Sequence, residues 1–149
     1  MILKVITALA VVFGIFWTIK EKKIFPAIIT LGMVISIVLV FYPNKTIHTS
    51  GFYLYMGFAA LAFVYGLTVK NKEIWTRIII ILMSASIFTH WLWVFNHWHG
   101  NTLLFPIFTL LVGFAGILGK VKLKSELGFL TILAVDAVAI IIENWMKSN

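Results

Sequence analysis

The chain has 149 residues, 62% hydrophobic and 11% charged, with twelve basic and five acidic side chains and a net charge of +7. A soluble domain usually carries about 25% charged residues, so this chain has too few to cover a water-facing surface. The absence of cysteine excludes a disulfide scaffold and Cys-ligated zinc or iron–sulfur sites, and the shortage of polar residues excludes a disordered tail. A mean hydropathy of +1.05 points to an integral membrane protein with little mass outside the bilayer.

A helix that crosses the hydrocarbon layer needs about 20 mainly apolar residues. Six stretches meet that need in chain order: Met1–Ile19, Ile24–Tyr42, Gly51–Val69, Ile74–Phe95, Thr102–Gly119 and Leu127–Met146. None alternates as a membrane barrel strand would, and backbone groups in lipid must be satisfied internally. The expected fold is therefore an all-α, six-transmembrane-helix bundle forming one domain over residues 1–149. The first span also carries Lys4 and a cleavage-like Ala8-Leu9-Ala10. That box lies too close to Lys4 to leave the apolar run of about 7–15 residues that a signal peptide requires, so an uncleaved span is expected.

The connections are short, and their charges are lopsided. Lys20, Lys22, Lys23, Lys70, Lys72, Arg77, Lys120, Lys122 and Lys124 collect on one side, against Lys4, Lys45 and Lys147 on the other. Basic loops stay in the cytoplasm, which predicts a multi-pass protein of the plasma (inner) membrane with both termini outside. The lysines sit in tight turns rather than a stripe, so the lipid bilayer is the expected partner and nucleic acid is not.

The basic turns recur at a fixed spacing. Lys20, Lys70 and Lys120 are 50 residues apart, as are Lys22, Lys72 and Lys122, and Ser36 and Ser86 correspond to Asp136. A fixed period marks a repeated unit, here a helical hairpin used three times. The other reading is that any three hydrophobic hairpins with basic turns fall into line. The three-hairpin layout is similar to that of small bacterial membrane proteins of the HdeD acid-resistance type; the likeness is one of architecture and carries no functional residue.

Asp136 lies ten residues into its span, and an ionisable group at that depth must face a bundle interior, a partner or water. Glu143 comes two helical turns later on the same face. With Ser86, these residues form a candidate path for protons or cations. The alternative is an Asp136 hydrogen-bonded among Ser36, Ser84, Ser86 or Thr131. Three of the four histidines, His90, His97 and His99, fall within ten residues at the end of the fourth span, and His48 belongs to the same side. Imidazole ligates metals and titrates near neutral pH, so this set is a candidate divalent-metal or pH-sensing site with Glu143. The other reading is an interfacial cap, with Trp91, Trp93, Trp98 and Trp145 forming an aromatic belt. Gly113, Gly116 and Gly119 form a small-residue seam for helix packing, within the chain or in a homo-oligomer.

Three functions compete. The first is a small transporter or channel for protons, cations or a small solute, with Asp136 at mid-membrane. The second is a membrane sensor or small-ligand-binding module acting through a partner, and the third an intramembrane enzyme using a metal at the histidines. The sequence holds no phosphate-cradling glycine loop and no nucleophile elbow.

Overall fold

The computed structural model describes the backbone of residues 2–148 and the side chains of residues 4–148. Met1 and Asn149, at the two ends of the expected domain, lie outside the described residues. Six helices make up the chain: α1 (Ile2–Glu21), α2 (Ile24–Val40), α3 (Lys45–Thr68), α4 (Ile74–Phe95), α5 (Leu104–Leu118) and α6 (Leu127–Ser148). Among the described residues there is no strand. Three helices, α3, α4 and α6, are long and apolar enough to cross a membrane, while α2 and α5 are shorter apolar helices. At 1.5 Å per residue the 15 residues of α5 reach about 22 Å. Pro26 and Pro106 each stand at the third position of their helix, where the missing N–H has no intrahelical partner to lose.

The element that departs most from expectation is α3. It starts at Lys45 rather than Gly51, because Asn44 caps it: its side-chain oxygen accepts from the backbone N–H groups of Thr46 at 2.9 Å and Ile47 at 3.4 Å. His48 is therefore a helical residue and not a loop residue, and its Nδ1 bonds the Val40 carbonyl at the end of α2. Such a cap is worth about 1 kcal/mol. Asn44→Ala is expected to lower the thermal unfolding midpoint by that measure, read by circular dichroism in detergent, without altering helices far from α3.

Each helix packs against its neighbours in the chain, α1 closes against α6, and α6 also touches α2 and α4. Among the described residues α2 and α4 do not meet, so the three hairpins are not arranged with equivalent contacts. The turns differ as well. The backbone enters the left-handed region at Lys22 after α1 but at Lys120 after α5, which is two residues out of step with the 50-residue spacing.

Phe129, Ile29, Met33, Ile80, Ile132 and Leu133 fill the centre. The outer faces carry Leu9, Phe16, Ile24, Leu111, Phe114 and Ile117, all exposed, on a scale that a water-soluble monomer avoids. Several buried hydroxyls satisfy themselves on their own helices: Thr30 donates to Pro26 at 2.7 Å, Ser36 to Gly32 at 2.7 Å and Thr109 to Phe105 at 3.0 Å. That is how a polar side chain is carried in an apolar interior without an inter-helix partner.

The three basic turns meet at one end. Lys72 pairs with Glu126 at 3.1 Å, Lys122 with Glu73 at 2.8 Å, and Lys124 with Glu21 at 3.8 Å. The first two pairs join two different connections, and the third joins the connection after α5 to the last residue of α1. The Lys122–Glu73 pair is exposed and contributes little to stability, although the Glu73 carboxylate raises the Lys122 ammonium above the ordinary lysine range. The Lys72–Glu126 pair differs, because the Glu126 side chain has no accessible surface.

Candidate functional site

The site is built on the middle of α6. Asp136 points into the helix bundle, where its Oδ2 accepts a hydrogen bond from the indole Nε1 of Trp91 on α4 at 3.0 Å. Trp91 is held in turn by rings. Phe52 of α3 lies 4.8 Å away and Phe95 6.3 Å, centroid to centroid. Tyr55, one turn along α3 from Phe52, is only 4% exposed and interacts electrostatically with Asp136. Its hydroxyl has no hydrogen-bond partner of ordinary geometry among the described atoms.

A cavity of about 180 Å³ opens beside these groups, lined by side chains of α1, α2, α3, α4 and α6 together with Phe41, and both Asp136 and Glu143 stand on its wall. The seven-residue spacing thus brings the two carboxylates to one space. Glu143 is half-exposed and pairs with Lys147 at 2.7 Å. At the same end the Lys4 ammonium lies 5.9 Å from the centre of the Phe41 ring, another wall residue. Toward the basic end the cavity stops against Ile132. Beyond that lie Met33, Leu133 and Phe129, which have no accessible surface.

The charged groups divide unevenly. The chain holds five acidic residues. Four of them are ion-paired: Glu21, Glu73, Glu126 and Glu143. Among the described residues Asp136 alone has no basic partner. The hydrogen bond to its Oδ2 comes from an indole, which donates but brings no charge.

The remaining candidates lie elsewhere. Ser86 is on the side of α4 that faces Leu104, Phe105 and Phe108 of α5, away from the Asp136 cavity. His90 is 3% exposed and its Nδ1 lies 3.2 Å from the Thr102 carbonyl, so it ties α4 to the turn before α5. His97 does not continue the helical face of His90. The helix ends at Phe95, the Asn96 side chain donates to the Leu92 carbonyl at 2.8 Å, and the chain reverses through a left-handed His97. His99 is exposed beyond that turn. Among the described residues no three His, Cys, Asp or Glu side chains converge as a metal ion would require. A Cβ added to Gly113 or Gly116 would meet Met83 or Ile79 of α4, whereas one on Gly119 would meet the Ala115 carbonyl of its own helix. The first two glycines therefore serve contact within the chain.

No protein-family model, curated protein or solved structure matches this chain. The site has to be read from its own chemistry. Three of its residues carry no mark in the sequence of the part they play here. Trp91 reads as a belt residue, and nothing in the local pattern of α3 distinguishes Phe52 or Tyr55. The one signal for Trp91 is its place five residues after Ser86, inside α4 and not beyond its end.

Proposed function

We propose that this chain is a multi-pass protein of the plasma (inner) membrane, a bundle of six spans with its basic loops in the cytoplasm, that takes up protons, cations or a small solute at Asp136 as a small transporter or channel. The observation that carries this reading is the cavity of about 180 Å³ joining Asp136 to Glu143. A liquid water occupies about 30 Å³, so the space holds on the order of six waters or one small ion. Pockets for drug-sized ligands begin at about 300 Å³. Orientation rests on the ion-paired lysine turns at one end and the retention of basic loops inside. The shorter helices α2 and α5 complete their crossings with the adjoining turns and a local adjustment of the bilayer. The cavity then opens outward. The three-hairpin repeat, in this reading, describes how the chain crosses the membrane and not how the helices pack.

The test is flux in proteoliposomes loaded with a pH-sensitive or cation-sensitive dye. The native chain should pass protons or a monovalent cation down an imposed gradient, and Asp136→Asn should fall to the level of empty vesicles while eluting as a folded particle in detergent. Undiminished flux in that variant removes the proposal. One observation favours a second reading, a membrane binding or sensing module: Met33, Leu133 and Phe129, toward the basic end from the cavity, have no accessible surface. Binding at Asp136 with no flux at all would decide for that module.

A further inference from the structure

We infer that the Asp136 cavity is shaped to bind a small organic ammonium cation, held by the carboxylate and by the faces of Phe52, Trp91 and Tyr55, in preference to a metal ion. This deepens the proposed function and rests on its reading of Asp136 as the charge-handling group. The first support is electrostatic. Four of the chain's acidic residues have a basic partner and, among the described residues, Asp136 has none. Among the described residues the nearby ammonium groups are engaged elsewhere, Lys147 with Glu143 and Lys4 over the Phe41 ring, so a cation entering here meets a carboxylate that neither of them neutralises. The second is the wall. Apart from Asp136 and Glu143 it is mostly apolar, with Phe41, Phe52, Tyr55 and Trp91 among its members.

Such a wall cannot replace the shell of a hydrated metal ion. Calcium needs six to eight oxygen ligands and zinc four donors, and among the described residues no three ligating side chains converge. An alkylated ammonium asks for less. Its charge is spread over carbon, its water is loosely held, and aromatic faces within about 6 Å stabilise it directly. The rim already shows this chemistry, where the Lys4 ammonium stands 5.9 Å from the Phe41 ring. The buried Tyr55 hydroxyl, without a partner of ordinary geometry among the described atoms, supplies a further dipole in the wall. A volume of about 180 Å³ limits the ligand to a compact head such as a methylated ammonium.

The experiment titrates the full chain, purified in detergent, with tetramethylammonium chloride and monitors tryptophan fluorescence and the thermal midpoint. Sodium chloride and magnesium chloride at equal ionic strength, and tert-butanol as the uncharged shape mimic, are the comparisons. A saturable response to tetramethylammonium alone is expected. Asp136→Asn should weaken it at least about tenfold, as loss of one member of a close charge pair does, and Phe52→Leu about threefold, as loss of one aromatic face does. The inference is overturned if sodium, magnesium or tert-butanol gives the same response, or if neither variant changes the apparent affinity. It is equally overturned by no response to tetramethylammonium. Flux that depends on Asp136 without this binding sinks the ammonium inference and leaves the transport reading standing; binding without flux does the reverse.

Discussion

Lys72→Met is expected to destabilise the folded protein by about 3 kcal/mol, the low end of the range for removing one partner of a buried pair. Glu126 sits just before α6 with no accessible side-chain surface. Its Oε1 receives the Tyr65 hydroxyl at 3.1 Å and the Lys72 ammonium at 3.1 Å, and its Oε2 has no partner among the described atoms. Removing the ammonium leaves a desolvated carboxylate held by one phenol. The low end of the range applies because the Lys72 side chain is 27% exposed, so water already screens part of the pair. Glu126→Gln should cost about 1 kcal/mol, the net worth of an ordinary hydrogen bond. Tyr65 can still donate to the amide oxygen, and Lys72 can turn its ammonium to solvent and to Ser125, 3.1 Å away. The measurement is the thermal midpoint of each variant in one detergent. Equal midpoints for Lys72→Met and the native chain would show that Glu126 is not desolvated in the folded protein.

Gly51→Ala is expected to cost about 2–3 kcal/mol, the upper part of the range for overpacking. A Cβ at this position would lie 2.6 Å from the Val40 nitrogen, 2.9 Å from the Ser36 oxygen and 3.0 Å from the Leu39 carbonyl carbon. All three are backbone atoms of α2, so no side chain can swing aside and the two helices must separate. Gly57 on the same helix has nothing within 4 Å of its would-be Cβ. There alanine should be neutral or stabilising by up to about 1 kcal/mol, since it has the higher helix propensity. Opposite signs at two glycines of one helix separate close approach from propensity. A loss of similar size at both would refute backbone contact between α2 and α3. Gly32 differs again, because its neighbour is the Phe58 ring, which can rotate away.

The helices themselves were legible because apolar content is a property of each segment alone. Lys and Glu mark three of the five breaks and Pro43-Asn44 and the stretch from Asn96 to Asn101 the other two, and only the ends moved. Thr102 and Leu103 lie in the turn before α5, and Asn44 moved the start of α3 back into a stretch that reads as loop by hydropathy alone. Polar residues such as Thr46, His48 and Thr49 hid that extra helical length, since hydropathy does not register a cap. The two carboxylates of the site were legible for a similar reason, as spacing on one helix fixes a shared face.

Their surroundings were not. Trp91 and Asp136 are 45 residues apart and belong to different helices, and Tyr65 and Glu126 are 61 apart. The histidines read as a cluster because they are neighbours in the chain. One turns inward to the Thr102 carbonyl, while two lie past a helix end that redirects the backbone. The sequence by itself determined the helical content, the apolar outer faces and the presence of one acid deep in a span, since each depends on composition and on the period of a single helix. Tertiary structure alone decided that this acid has an indole and, among the described residues, no ammonium, that a cavity reaches it, and that Glu126 is buried. Those facts depend on how ridges of different helices meet, and a sequence records no distance between residues it does not place side by side.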